Sequence, residues 1–271
     1  MDDASATDAV TRPLSRVLLA AVATLGGSLL VLALVLPVGT LVSAAGVTGI
    51  ASALVDRDVV RSILLTVLSA TAATLLAIIG GIPVAYLLAR VPFRGRSIVE
   101  ALLELPLVIP HPVIGMALLL AMGRQSVVAR ALAPVGLAIV NSPLGIVVAM
   151  LVVSAPLFIL GAREAIARVD ARLEAVARTL GDDRWRAVRR VTLPLARNGL
   201  VNAGTAMWAR ATSEFGAIVL IAYHPRVASV LAYDRYLTYG LSSALPVAAA
   251  LVLVAMLILL VVRFTRRVER A

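Results

Sequence analysis

Residues 163–198 read REAIARVDARLEAVARTLGDDRWRAVRRVTLPLARN. This is the one long hydrophilic stretch of the chain, and it carries nine arginines between Arg163 and Arg197. Its first half is rich in helix formers, with Ala165, Val169, Leu173, Val176 and Leu180 at helical spacing. Gly181 suits a helix C-cap, where a left-handed backbone is needed. Asp182 or Asp183 can cap a second, short helix over Arg184–Arg190 by accepting from free backbone N–H groups. Pro194 is expected to end or bend that helix, because it has no N–H to donate. The expected element is a helix–glycine–helix hairpin, suited either to docking in a partner's groove or to lying on anionic headgroups.

The hairpin is flanked by apolar runs of membrane length. Val17–Val55 has no charged residue, and a retained helix is expected over about Val17–Ala44. Further runs follow at about Ser62–Ala89, Ile98–Met122, Leu144–Ala162, Gly199–Tyr223 and Leu241–Val262. Each reaches or approaches the roughly 20 residues that cross hydrocarbon as a helix. None alternates in polarity as a barrel strand would. The expected fold is therefore an all-α polytopic membrane protein with six transmembrane helices over 17–262. Short tails at 1–16 and 263–271 complete it.

Composition agrees. Of 271 residues, 61% are hydrophobic and 15% charged, with mean hydropathy +1.00. A soluble domain could not hide so much apolar surface, and disorder is excluded by the same figures. There is no cysteine and only two histidines, His111 and His224. A thiolate nucleophile is thus absent, and a histidine-rich metal cluster is not expected. The net charge is +10, and all 25 basic residues are arginine. A basic balance can signal nucleic acid, but here the charges cluster between apolar runs and report topology instead. With six spans, 18 arginines fall on the side of the termini and six on the other, while Arg210 lies inside a run. Both termini are therefore expected in the cytoplasm of a cell-membrane protein.

Two apolar runs carry polar groups. Arg210 and Glu214 are four residues apart on one helix face. They form either a structural ion pair or part of a translocation path, with Arg210 attracting an oxyanion and Glu214 preventing its capture. The run 105–112, LPLVIPHP, cannot be an unbroken regular helix. It is either a kink in a packed bundle or the lining of a cavity. Glu100 and Glu104 share a face near one end and can pair with Arg94 or Arg96. His111 has no evident second metal ligand.

On these residues the chain resembles a known family. Glu174-Ala175-Val176-Ala177, Gly181 and Val191-Thr192-Leu193-Pro194 resemble the EAA loop of ABC importer permeases of type I architecture. In that pattern E-A-A is followed by three residues, Gly, nine residues, a branched apolar residue, any residue and Leu-Pro. Aligned on Gly181, the E-A-A falls on Ala175, Val176 and Ala177, so Glu174 matches an acidic residue that often precedes it. Leu105–Pro110 with Gly115, and Ala209–Ala217, resemble molybdate and tungstate permeases; sulfate permeases share the second stretch in part. Ile221–Pro246 is similar to the archaeal-type molybdate/tungstate branch. The similarity runs from about Ser62 to Arg263.

The resemblance implies a homodimeric permease in membrane lipid. Two cytoplasmic ABC ATPases and an extracytoplasmic substrate-binding protein would complete the importer. Glu174, Ala175, Val176, Ala177, Gly181, Asp182, Trp185, Val191, Leu193 and Pro194 would form the ATPase-docking loop. Pro110, His111, Gly115, Arg210, Glu214, Phe215 and Gly216 would form the gate or path. The binding protein would dock on loops 56–61, 124–142 and 226–240, although Tyr233, Tyr236 and Tyr239 also suit an interfacial aromatic belt. This chain has no G-x-x-x-x-G-K-[ST] phosphate loop, so ATP–Mg would sit on the partner, and neither a bound cofactor nor nucleic acid is expected. Alternatives are a permease for another oxyanion such as sulfate, or a secondary transporter or channel centred on Arg210 and Glu214. An intramembrane enzyme lacks any HExxH or GxSxG motif.

Overall fold

A computed structural model describes the backbone of residues 4–268 and the side chains of residues 20–260. The tails expected at 1–16 and 263–271 lie partly outside these described residues. Twelve α-helices and no strands make up the described chain. The first is α1 (Ala4–Val55), followed by α2 (Arg57–Arg90), α3 (Arg96–Val108) and α4 (His111–Met122). Next come α5 (Val127–Leu132), α6 (Pro143–Ala167), α7 (Ala171–Thr179) and α8 (Arg184–Ala187). The chain finishes with α9 (Leu193–Thr212), α10 (Ile218–Ile221), α11 (Ala228–Tyr239) and α12 (Leu241–Val268).

The core forms where α6 packs between α2 and α9. Apolar side chains gain little by leaving lipid, so close approach and dispersion drive such packing. Small residues supply the approach. A Cβ on Gly81 would lie 2.9 Å from the Phe158 ring, and one on Gly161 would lie 2.8 Å from the Ala203 methyl. Ala70, Ala73, Ala77 and Ala85 continue the same face of α2. A second cluster joins the α1–α2 corner, α11 and α12 through Val59, Ile63, Leu231 and Val247. Arg235 of α11 clamps this corner by donating to Asp56 Oδ2 at 2.7 Å. That donor holds the Asp56 carboxyl below the usual carboxylate range.

Several expectations need correction. α1 continues to Val55, not Ala44, with one kink at Gly46 (φ +66°). The run 98–122 is not one continuous helix: α3 and α4 meet at 112°. Ile109 precedes a proline, is driven to extended backbone (ψ 134°), and ends α3. The run 199–223 is broken as well, because α9 stops at Thr212 and a turn leads into α10. Among the described residues, four helices are long and apolar enough to cross a membrane, or five if the bent pair is one span. The six-helix count is thus not reproduced by length and apolarity; α9 carries Arg197, Asn198, Asn202 and Arg210. The stretch expected as the outer loop 226–240 is mostly helix, with Ala228, Val230 and Leu231 buried.

Candidate functional site

The hairpin forms by a chain of local caps. The expected single helix through 163–180 is two helices, split at Arg168–Asp170, where Asp170 caps α7 by accepting from the Arg172 amide at 2.9 Å. α7 ends at Gly181 (φ +100°), where the Asp182 amide donates to Ala177 O and the Gly181 amide to Arg178 O. This paired closure requires a left-handed residue, which glycine takes without a Cβ clash. Asp183 then caps α8 by accepting from the Arg186 amide at 2.8 Å, while Asp182 pairs with Arg190 at 2.9 Å.

Pro194 does not end the second helix. A π-turn over Val188–Thr192 joins α8 directly to α9, with the Leu193 amide donating back to Val188 O. The wider turn shifts the hydrogen-bond register one residue before the proline. The missing Pro194 donor therefore leaves no gap in a helical path running from Arg184 to Thr212.

Glu174 fastens the hairpin to the bundle. Tyr86 donates its hydroxyl to Glu174 Oε2 at 2.9 Å. Arg90 Nε at 3.2 Å and Thr192 Oγ1 at 2.6 Å donate to Oε1. A second Arg90 nitrogen donates to Val169 O at 2.6 Å. Glu174 and Arg90 are largely buried, so this is a desolvated ion pair with its lone pairs occupied. Among the other predicted loop residues, Ala175, Val176, Gly181, Trp185 and Pro194 are exposed; Ala177, Asp182, Val191 and Leu193 are half-buried. Leu193 turns toward an apolar cavity of about 590 Å³ between α2, α9 and α12. Leu180 is 83% and Trp185 63% exposed, beside open Leu173 and Val176. The result is an apolar knob on a basic hairpin.

The seven predicted path residues gather at one junction, where the start of α4 meets the end of α9. Pro110 is the N-cap of α4 and accepts from the Val113 amide. His111 follows, and both of its ring nitrogens face Arg210 Nη2. The same Nη2 donates to Glu214 Oε2 at 3.0 Å. Glu214 is 1% exposed, and its Oε1 accepts from the Ala217 amide at 2.8 Å, capping the turn into α10. Ser229 Oγ donates to the Glu214 carbonyl at 3.1 Å. Two glycines permit the approach: a Cβ on Gly216 would lie 2.9 Å from His111 Cβ, and one on Gly115 would lie 2.8 Å from Ala217 O. Phe215 stands edge-on to Tyr233 at 5.0 Å. Nearer the hairpin, Glu100 accepts from Arg96 at 3.1 Å and from Arg163 at 2.6 Å.

Sequence reasoning missed Tyr86, Arg90 and Thr192 as partners of Glu174, and Ser229 as a partner of Glu214. Tyr86 and Arg90 are four residues apart at the polar end of an apolar run, and that spacing is the signal available.

Membrane-length helices, a charged junction at two broken helices and a projecting hairpin define a multi-pass membrane transport component. Comparison with known proteins agrees. Residues 77–271 match the family model described as binding-protein-dependent transport system inner membrane component. The chain is 39% identical over 240 residues to the molybdate/tungstate transport system permease protein WtpB of Thermococcus kodakarensis, covering 88% of this chain and 92% of that one. It is 38% identical over 160 residues to the molybdenum transport system permease protein ModB of Escherichia coli K12, covering 59% and 70%. In fold it is similar to a bacterial ABC transporter involved in the import of the acidic polysaccharide alginate, with TM-score 0.74 and 19% identity over 96% of this chain and 98% of that one. The chain belongs to the family of binding-protein-dependent transport system inner membrane components.

Proposed function

We propose that this chain is the membrane-embedded permease of an ATP-driven importer whose cargo is molybdate or tungstate. The observation that carries the cargo is the relation to WtpB across 88% of the chain. The chain works as a homodimer in the cell membrane, with the bent α3–α4 pair and α9 each counted as a crossing. Six crossings then place both termini in the cytoplasm, on the arginine-rich side.

The hairpin is the docking loop for two cytoplasmic ATPases that bind ATP–Mg. Of the ten residues expected there, Ala175, Val176, Gly181 and Trp185 present the contact face, together with Leu180. Glu174 has its oxygens occupied within the chain and holds the loop in place. Ala177, Asp182, Val191, Leu193 and Pro194 shape and continue the loop. An exposed apolar knob on a polar loop supports protein docking over headgroup binding, since Leu180 and Trp185 stand open beside Leu173 and Val176. The path runs past the junction of Pro110, His111, Gly115, Arg210, Glu214, Phe215 and Gly216. There Arg210 attracts the anion and Glu214, already paired with it, keeps the attraction shallow. An extracytoplasmic binding protein delivers the cargo.

The test is purification of the solubilised chain from its native membrane, followed by uptake in proteoliposomes. A stoichiometric ATPase in the eluate and ATP-dependent uptake of tungstate are expected. The chain recovered alone, with uptake that needs no ATP, would replace this reading with a secondary transporter centred on Arg210 and Glu214.

A further inference from the structure

A polar cavity lies away from both sites described above. It encloses about 300 Å³ between the start of α2 and the turn that joins α10 to α11. Its polar lining is Asp58, Arg61 and Ser62 on one side and His224 and Arg226 on the other. Leu65, Pro225 and Leu231 close its apolar wall. By the topology proposed above, it opens on the extracytoplasmic side.

The two arginines of this cavity differ in how they are held. Arg226 pairs with Asp234 at 3.1 Å, and Asp234 also accepts from the Tyr223 hydroxyl. Arg61 has no ion-pair partner among the described residues. Asp58, the acidic member of the lining, balances Arg61 in formal charge but lies beyond ion-pair distance of it. The Nε–H of Arg226 is buried with no acceptor, and its guanidinium also stands over the Tyr223 ring at 5.8 Å. A buried donor without a partner is costly and marks a place where an acceptor is wanted. Guanidinium groups present paired N–H donors that match the oxygens of a tetrahedral anion, and the apolar wall strengthens their field.

The cavity is also wired to the junction. His224 begins the segment that runs through Arg226 into α11, and its amide donates to Asn141 Oδ1 at 3.4 Å. Two residues beyond the cavity turn, the Ala228 amide donates to Thr66 Oγ1 of α2. The next residue, Ser229, holds the Glu214 carbonyl. An anion in the cavity is therefore a few residues along the chain from Ser229, which holds the Glu214 carbonyl.

We propose that Arg61, His224 and Arg226 form a capture site for a small tetrahedral oxyanion, filled before the anion reaches Arg210. This rests on the oxyanion importer reading above, and deepens it by adding an outer binding step. The two histidines make the site directly readable. In nanodiscs holding the full-length chain, carbethoxylation of His224 and His111 is followed by mass spectrometry, with sodium tungstate as the probe and sodium chloride at equal ionic strength as the control. Tungstate should slow the modification of His224 saturably, chloride should not, and Arg61→Glu should abolish the protection.

In proteoliposomes of the complete importer, Arg61→Glu should raise the half-saturating concentration for tungstate uptake about tenfold, the effect of losing one charged contact. The maximal rate should change little. Arg61→Ala, at an exposed position, separates loss of the contact from added repulsion, and should show a smaller rise. Equal protection by chloride, or unchanged His224 reactivity and uptake in the variants while the native importer carries tungstate, would overturn the capture site and leave the importer reading intact. A native importer that carries neither molybdate nor tungstate would overturn the cargo reading and the capture site together.

Discussion

Arg210 serves two neighbours with one nitrogen, and that makes its charge hard to replace. Glu214 is almost wholly buried, so removing Arg210 strands a carboxylate held only by the Ala217 amide. Stranding one member of a buried pair costs roughly 3 kcal/mol, at the low end of the usual range because Arg210 itself is 24% exposed. Arg210→Ala should therefore lower the melting temperature in detergent, whereas Glu214→Gln, which keeps an acceptor for Ala217, should lower it less. Arg210→Lys separates stability from transport. A point charge restores the pairing with Glu214 but not the planar fork, so folding should recover while tungstate uptake stays reduced. Full recovery of uptake by lysine would show that charge alone is needed. At this scale the sequence is informative about which residues matter and poor about what they touch. The Arg210–Glu214 spacing announces a pair on one helix face. The histidine that joins them arrives from α4, ninety-nine positions away, and no periodicity reports that approach.

The hairpin is held by side chains that belong to other elements. Glu174 lies on α7, yet its three donors come from α2 and from the π-turn before α9. Glu174→Ala should release α7 from the bundle. Limited trypsin digestion should then cut at Arg172 and Arg178 several-fold faster, with cleavage at Arg124 and Arg130 unchanged, because local opening follows local contacts. Unaltered digestion at all four sites would mean that the apolar contacts of the hairpin suffice without the carboxylate. Element boundaries were legible where backbone chemistry is local: Gly181 as a cap, Asp183 as a cap, and the prolines at 110 and 112 as a break. They were illegible where a neighbour decides. Pro194 reads as a stop, but the π-turn absorbs it. Val169 and Leu173 read as one helical stripe, but Val169 is buried and Leu173 exposed, on either side of the Asp170 break.

For the whole molecule, apolar length identifies the protein as multi-pass but does not settle how many times it crosses. α9 is too polar to pass as a span by composition, although it is packed against α6 over its length. Arginine distribution is the signal for orientation instead, and it predicts a cytoplasmic signal from a reporter fused after Arg270 and an external one from a reporter inserted after Gly136. A cytoplasmic signal from both would remove one crossing from between them. The continuous helical path from Arg184 to Thr212 gives this architecture a mechanical property. At about 1.5 Å per residue it is a continuous member about 40 Å long, its regular hydrogen bonding interrupted only by the π-turn beside Pro194. Trp185 stands at one tip, and two residues beyond the other stands Glu214. Such a member offers a route for force: a sideways push on the tryptophan end travels along one helical path, past the π-turn beside Pro194, toward the broken junction where α9 meets α4.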